Sequence, residues 1–308
     1  MARILVVTPN PAVDTTYRVA EQLVGESHRV LEVSQRPGGK GINVSRGLAA
    51  LGHESVNILP LGGATGGWIA ARLDELGLAA SITPIAGATR TCVAVTDPHS
   101  HPTVFNEPGP QVTPAEWDAL LADVRAQLAD AAMLVVSGSL PPGTDASLIT
   151  ALVVAARDAG VPSLLDVSGP SLLAAAAAGA DVVKPNAEEL LAATGTDDLD
   201  AAITAAQAAG ARLVVVSRGS DGLVARQGGT AFSTPAVPGI HGNPTGAGDA
   251  ATAGLAAALV DRAPIAEALR WAAALGAAAV LRPVAGEVDL DAFHRFLSTD
   301  SPHHGVAP

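Results

Sequence analysis

The sequence predicts a three-layer α/β/α domain, in which a mostly parallel central sheet lies between two layers of helices and carries a small β-sheet lid. Short continuous apolar runs recur along the chain, and runs that are apolar on both faces suit strands covered from both sides. Segments of helical length that are rich in Ala and Leu lie between these runs. Such alternation is typical of parallel sheets, because their crossover connections are helices.

The individual elements follow from these runs in chain order. The predicted strands are Ile4–Val7, Met133–Val136, Ser163–Leu165, Val182–Val183 and Leu213–Val216. The predicted helices are Ile42–Leu51, Gly66–Leu76, Pro114–Leu128, Ser147–Ala159, Ala187–Thr194, Ala201–Ala209 and Ala250–Val260. Trp271–Leu281 predicts a further, buried helix, because this apolar run is well short of the ~20 residues that span a bilayer.

Local signals refine the boundaries. Thr113, Pro114 and Glu116 together predict a capping box at the start of one helix. The alternation breaks at Tyr17–Val33 and Thr91–Asn106, which look like polar-interrupted strands without an intervening helix. We therefore expect a lid formed from about residues 12–35 and 88–108.

The length of 308 residues allows one large core, so residues 1–300 are expected to form a single domain. Ser301–Pro308 contains two prolines and a His pair without periodicity, and it predicts a flexible tail. The Ile4–Val7 run follows almost directly on the first residue, which leaves no room for a signal peptide, and a cytoplasmic location is expected.

Charge and cysteine content exclude several classes of function. The formal net charge of −12 disfavours both nucleic acid and anionic membranes as partners, because each binds basic surfaces. Cys92 is the only cysteine, so the chain has no intramolecular disulfide, and a small buried strand residue is favoured over a nucleophile at this position.

The sharpest motif is Asn-Pro-Thr-Gly-Ala-Gly-Asp over residues 243–249, directly before an alanine-rich run. Glycines at a helix start let backbone N–H groups converge into an anion site. A carboxylate at Asp249 would weaken anion binding unless it had another task, such as accepting a proton from an attacking hydroxyl. A dinucleotide-binding fingerprint is rejected, since Pro235–Gly239 makes a poor preceding strand. A helix start merely capped by Asp249 stays open as an alternative.

Gly246–Asp249 resembles the C-terminal signature of ribokinase-like kinases, specifically the phosphofructokinase-B branch. Thr8–Asp14 resembles the opening of 1-phosphofructokinases and tagatose-6-phosphate kinases, and Gly38–Val44 resembles their N-terminal signature. Further blocks match the family in order, namely Ser137–Pro141, Lys184–Leu190 and Ser217–Gly222. The resemblance spans nearly the whole chain and implies a ribokinase-like sugar kinase that uses ATP as co-substrate and Mg²⁺ as cofactor.

The resemblance implies roles at the phosphoryl-transfer end of the site. Asp249 would be the catalytic base, and the backbone around it would stabilise the transferring phosphoryl group, at Gly246, Ala247 and Gly248. The residues expected to bind nucleotide are Lys184, Asn186, Ser217, Gly219, Gly222 and Gly248. Asn186 and Glu189 would hold Mg²⁺ through water, although an ordinary helix start explains that pair equally well. Ser217–Gly222 by itself is a turn between strands.

The resemblance also implies a sugar-binding side. The residues expected there are Asp14, Gly38, Gly39, Asn43 and Ser139, with Lys40, Arg90 and Arg29 as candidates for a phosphate on the sugar. Asp14 alone would be interpreted as a turn residue, and Arg29 as a solvated lid residue.

The predicted substrate is a ketohexose monophosphate, with fructose 1-phosphate first and tagatose 6-phosphate second. Gly25–Arg29 lacks the lysine found there in some 6-phosphofructokinases, and this absence counts against fructose 6-phosphate as the substrate. Before the Gly-Ala-Gly-Asp element, Asn243-Pro244 stands where the family often has Asp-Thr or Ser-Thr. A kinase for an unphosphorylated sugar or nucleoside, and a catalytically silent sugar-binding regulator, remain alternatives. The family often dimerises through the lid, so a homodimer is expected.

Overall fold

The computed structural model describes residues 3–100, 102–282 and 284–298. Its strands are β1 (Arg3–Val7), β2 (Ala12–Arg18), β3 (Glu32–Gly38), β4 (Ser55–Leu61), β5 (Ala80–Pro84), β6 (Arg90–Thr96), β7 (Thr103–Asn106), β8 (Ala131–Ser137), β9 (Ser163–Asp166), β10 (Val182–Val183), β11 (Leu213–Ser217), β12 (Leu223–Gln227) and β13 (Thr230–Thr234). Its α-helices are α1 (Lys40–Ala50), α2 (Gly63–Glu75), α3 (Pro114–Gln127), α4 (Ser147–Asp158), α5 (Pro170–Ala177), α6 (Ala187–Thr194), α7 (Leu199–Ala209), α8 (Ala247–Val260), α9 (Ile265–Val280) and α10 (Leu290–Ser298).

The central sheet has nine strands in the order β13-β12-β11-β10-β9-β8-β1-β4-β5. The strands from β11 to β5 are parallel, and β12 and β13 add an antiparallel hairpin at one edge. The predicted mostly parallel sheet is therefore confirmed.

Helices cover both faces of this sheet, as the two-sided apolar runs predict. In β1, Leu5 and Val7 pack into a core that includes α3, α4 and α5. The alternate residues Ile4 and Val6 pack into a second core, which includes α8 and α9. Successive side chains of a strand point to opposite faces, so an apolar run supplies both cores at once.

The lid is a four-stranded sheet in the order β3-β2-β6-β7. The β2–β6 pair is parallel and the other two pairs are antiparallel. The prediction of strands within Tyr17–Val33 was misplaced, because the paired strands are Ala12–Arg18 and Glu32–Gly38, and residues 19–31 mostly connect them. Strand pairing depends on a distant partner, and the local pattern does not show it.

Several local predictions are confirmed. The Thr113–Glu116 capping box is present at the start of α3, and the Trp271–Leu281 run belongs to the largely buried helix α9. The short helix α5 was not predicted. No helix among the described residues is long and apolar enough to cross a membrane. The predicted tail, Ser301–Pro308, lies outside the described residues.

Candidate active site

Asp249 lies in the first turn of α8 and is 7% exposed. The helix begins after Gly246, which has a φ of +83°, a conformation that costs little only for glycine. A Cβ at this glycine would also lie 3.0 Å from the Cβ of Ala285. The Asn43 side chain from α1 donates a hydrogen bond to Oδ2 of Asp249 at 2.9 Å. Two segments far apart in sequence thus fix the carboxylate at the helix N-terminus.

The environment of Asp249 makes it a proton acceptor near neutral pH. Burial, and to a smaller extent the negative charge of Asp166, raises its pKa from 3.8 to about 7. The hydrogen bond from Asn43 and the charges of Lys40 and Lys184 act in the opposite direction. Such a carboxyl has a pKa close to the value that favours general base catalysis at physiological pH.

Asp166, which was not among the predicted site residues, is the ionic centre beside Asp249. It ends β9, where its carboxylate is 3.2 Å from Lys184 Nζ and 3.4 Å from Lys40 Nζ. The Thr252 hydroxyl, on α8, donates to the same carboxylate at 2.6 Å. Burial opposes ionisation of Asp166, but the two lysines hold its pKa below the usual value. A carboxylate at the carboxyl end of a parallel strand is a recognisable signal, because ligands bind at that edge of such sheets.

Lys40 connects the two halves of the predicted phosphate site. Its Nζ lies 3.4 Å from Asp166 and 3.6 Å from Glu189. Burial disfavours the ammonium, but Asp166, Glu189 and Asp249 outweigh this effect and hold the pKa of Lys40 above its usual value. Ser139 follows β8 in an exposed loop, and the preceding Gly138 lies beside the Cβ of Lys40.

Asn186 and Glu189 form a reciprocal capping box at the start of α6. Oδ1 of Asn186 accepts from the Glu189 N–H at 2.7 Å, and the Glu189 carboxylate accepts from the Asn186 N–H at 3.0 Å. Asn186 also forms an isolated bridge to Ser217 at the end of β11. Gly219 and Gly222 lie in the turn that follows. The structure thus gathers these predicted nucleotide residues at one edge of the sheet, and it also shows the capping alternative for the Asn186–Glu189 pair.

The lid contributes Asp14, on strand β2, to the predicted sugar-binding side of the site. Burial raises the pKa of Asp14 to about 6, whereas Arg90, Arg46 and the Gly39 N–H lower it. Gly38 packs directly against the carboxylate, since a Cβ there would lie 2.1 Å from its carbon. Asp14 is therefore held among the glycines of the predicted sugar motif.

Arg90 lies at the start of β6, at the base of the lid. Its guanidinium donates to the carbonyl of Glu107 at 2.9 Å and to that of Asn10 at 3.0 Å, while its buried Nε has no hydrogen-bond partner. It borders a groove of about 480 Å³ that is lined by Gly87, Ala88, Glu107, Pro108, Gly109, Pro110 and Gln111. Arg29, by contrast, is exposed in the connection between β2 and β3.

The carboxylates of the site suit a metal held through water better than one bound directly. No three His, Cys, Asp or Glu side chains of the described residues converge as a metal site. Asp166 already accepts hydrogen bonds from Thr252 and the lysines, and Glu189 accepts one from the Asn186 N–H. Mg²⁺ keeps several waters and binds through few carboxylates together with substrate phosphates. The donor set therefore fits Mg²⁺ delivered with a nucleotide.

Known proteins resemble this chain over nearly its whole length. The model of the pfkB family carbohydrate kinases matches residues 7–291. Phosphofructokinase-2 from Escherichia coli is 30% identical, with a TM-score of 0.91 over 97% of this chain and 99% of that one. A possible 1-phosphofructokinase from Thermotoga maritima is 26% identical, with a TM-score of 0.86 over 96% and 97% of the two chains. Arabidopsis thaliana ribokinase, solved with ribose and ATP, shares the fold at 22% identity and a TM-score of 0.77, over 97% of this chain and 100% of that one.

Proposed function

The chain belongs to the pfkB family of carbohydrate kinases, and we propose that it phosphorylates a ketohexose monophosphate with Mg-ATP, using Asp249 as the catalytic base. The observation that carries this proposal is the buried carboxylate at the N-terminus of α8, whose pKa is raised to about 7. A carboxylate in that position can remove a proton from a hydroxyl that lies close to a phosphate bound at the helix start.

The chemistry follows from the neighbours of Asp249. The sugar hydroxyl loses its proton to the carboxylate as its oxygen attacks the terminal phosphorus of ATP, and ADP leaves with the bond electrons. The backbone N–H groups of Gly248 and Asp249 stabilise the charge on the transferring group, whereas the Ala247 N–H already donates to the Pro244 carbonyl at 3.1 Å. Lys40 and Lys184 add positive charge, while Asp166 keeps both ammonium groups in place.

The nucleotide would lie along the edge formed by the ends of β10 and β11. Lys184, Asn186, Ser217, Gly219 and Gly222 border this edge. Mg²⁺ would neutralise phosphate charge there, with Asn186 and Glu189 contacting its water shell.

The sugar would lie between Asp14 of the lid and Asp249 of the body, where Gly39 and Asn43 also contribute. A phosphate on the sugar would bind Arg90, because the Arg90 Nε has no hydrogen-bond partner and the groove beside this residue is open. Lys40 and Arg29 are the other candidates for that phosphate, and Ser139 is a further candidate for contacting the sugar. We propose fructose 1-phosphate first and tagatose 6-phosphate second. The Escherichia coli relative has been solved with fructose 6-phosphate, so this sugar belongs in the same test.

The test is a coupled assay of ADP release with these three sugar phosphates, free hexoses, ribose and nucleosides. Arg90→Gln should raise KM for the preferred sugar phosphate by about tenfold or more, the value of a lost charge-assisted hydrogen bond. Arg18→Gln is the control, because Arg18 is an exposed lid arginine that pairs with Glu32.

Each alternative has its own outcome in this assay. Preference for a free sugar or nucleoside, with no effect of Arg90→Gln, would show that the substrate carries no phosphate. Absence of turnover with every acceptor would instead favour a sugar-binding regulator.

We also propose that two chains associate through the outer face of the lid. Tyr17, Val33 and Val95 share one face of this sheet with Val93 and Phe105, and Val33 and Phe105 are 57% and 61% exposed. Covering such an apolar face is favourable. Light scattering should give a dimer that Phe105→Ser weakens, and a monomer at micromolar concentration would contradict the proposal.

A further inference from the structure

Glu287 is surrounded by three arginines at the boundary between the lid and the body. Arg36 donates a hydrogen bond to its Oε1, Arg46 lies 3.8 Å from the same oxygen, and Arg282 lies 3.5 Å from Oε2. We call these four residues the Glu287 cluster. The Arg46 and Glu287 side chains are only 14% and 26% exposed, so water screens their charges weakly. Three cations around one carboxylate are a notable concentration in a chain that carries a net charge of −12.

The cluster joins lid strand β3 to helix α1 and to the segment that follows α9. Arg36 belongs to lid strand β3, where it is the register partner of Asp14, so both side chains point to the same face of the lid. Arg46 belongs to α1, and Arg282 follows α9. Glu287 therefore bridges the lid face that carries Asp14 to helix α1 and to the residue Arg282 after α9.

The segment that carries Glu287 also touches two residues that position Asp249, namely Gly246 and Asn43. Arg46 Nη1 donates to the carbonyl of Ala285 at 3.4 Å. Ala285 packs against Gly246, the residue that begins α8, and a Cβ on Gly286 would lie 2.7 Å from Oδ1 of Asn43. Asn43 is the residue that donates to Asp249. One short segment thus contacts both the lid and the residues that orient the base.

The charges explain why a carboxylate is needed at this place. Arg36 and Arg46 repel each other, and this repulsion helps to lower the pKa of Arg46. The negative charge of Glu287 acts in the opposite direction and raises that pKa. Without Glu287, the repulsion would push β3 away from α1. Asp14, which lies next to Arg36 on the lid, would move with β3.

We propose that Glu287 is a positioning residue, which holds the sugar-contacting face of the lid against the body and thereby sets the distance between Asp14 and Asp249. This role depends on the proposed kinase function, because the sugar is placed between those two carboxylates.

The experiment compares Glu287→Gln, Arg36→Gln and the double variant in the full chain. We expect each single variant to raise KM for the sugar about tenfold, while kcat changes much less, since the lid is displaced but the base and phosphate site are intact. Hydrogen exchange of the β3 amides, measured without ligands, should become faster. The double variant should be no worse than the singles, because both remove the same contact.

Glu32→Gln is the matched control, since it removes the Arg18–Glu32 pair from the same lid strand but at an exposed position. This control should change neither KM for the sugar nor hydrogen exchange of the β3 amides. If Glu287→Gln behaves like Glu32→Gln, or if the two single effects add in the double variant, the proposal is overturned. If Glu287→Gln does not fold, Arg36→Gln alone is sufficient for the test. In that variant Glu287 keeps its contacts with Arg46 and Arg282 and loses only its contact with the lid. Absence of turnover in the unmodified protein would refute the kinase function, whereas the exchange comparison would still decide the lid contact.

Discussion

Replacing Asp249 by asparagine should remove catalysis and stabilise the fold at the same time. Burial and the charge of Asp166 raise the pKa of this carboxyl from 3.8 to about 7. The unfolded chain ionises it at lower pH, so its charge destabilises the folded state increasingly as pH rises from the unfolded to the folded pKa. The difference of about three pKa units, at about 1.4 kcal/mol each, corresponds to about 4 kcal/mol at high pH.

Asparagine has nearly the same shape and cannot ionise, so Asp249→Asn should exceed the parent in unfolding free energy. This excess should grow by about 3 kcal/mol between about pH 5 and pH 9, as measured by urea denaturation. Turnover in the coupled assay should fall by about two to four orders of magnitude, the range for a lost general base, while calorimetry shows unchanged nucleotide affinity. Asp261→Asn is the control, because that carboxylate lies at the other end of α8 and is about half exposed.

Two results would refute this reasoning separately. Parent-like turnover in Asp249→Asn would show that another group accepts the proton. A stability difference that does not change with pH would show that burial leaves the pKa of Asp249 close to its unfolded value.

Two further predictions concern the supports of the base. Gly286→Ala should lower kcat/KM about tenfold, because the added Cβ would press on Asn43. Gly228→Ala is the control, because Gly228 also has a positive φ but has open space around it, and this variant should show only the backbone cost of about 1 kcal/mol in thermal unfolding. Equal behaviour of the two variants would contradict the contact between Gly286 and Asn43. Thr252→Val should lower the unfolding free energy by about 2 kcal/mol in urea, because it deletes the hydroxyl that donates to Asp166, whereas Thr252→Ser keeps the hydroxyl and should retain most of the stability.

The sequence was sufficient where a local pattern corresponds to a local structure. The two-sided apolar runs predicted the parallel strands, and the Thr113–Glu116 pattern predicted a capping box that the structure contains. The glycines before Asp249 predicted a helix start with a carboxylate in its first turn. Each of these signals spans only a few residues, within which backbone preferences act directly.

The sequence was insufficient where partners are distant. The strands predicted within Tyr17–Val33 were misplaced, because β2 pairs with β6 more than 70 positions away and the local pattern does not show that register, whereas those predicted within Thr91–Asn106 agree with β6 and β7. Asp166 was overlooked, although it directly follows the predicted strand Ser163–Leu165, because its importance comes from lysines supplied by α1 and by the residue after β10.

The sequence by itself determined the layered architecture, the helix that begins at Gly246 and the presence of a carboxylate in its first turn. Only the tertiary structure decided the acidity of that carboxylate, because its pKa depends on burial and on Asn43, which is 206 positions away. The same holds for Glu287, which becomes a bridge only when folding brings lid and body together. Electrostatic interactions act through space, so their strength is set by the folded distances and the excluded water.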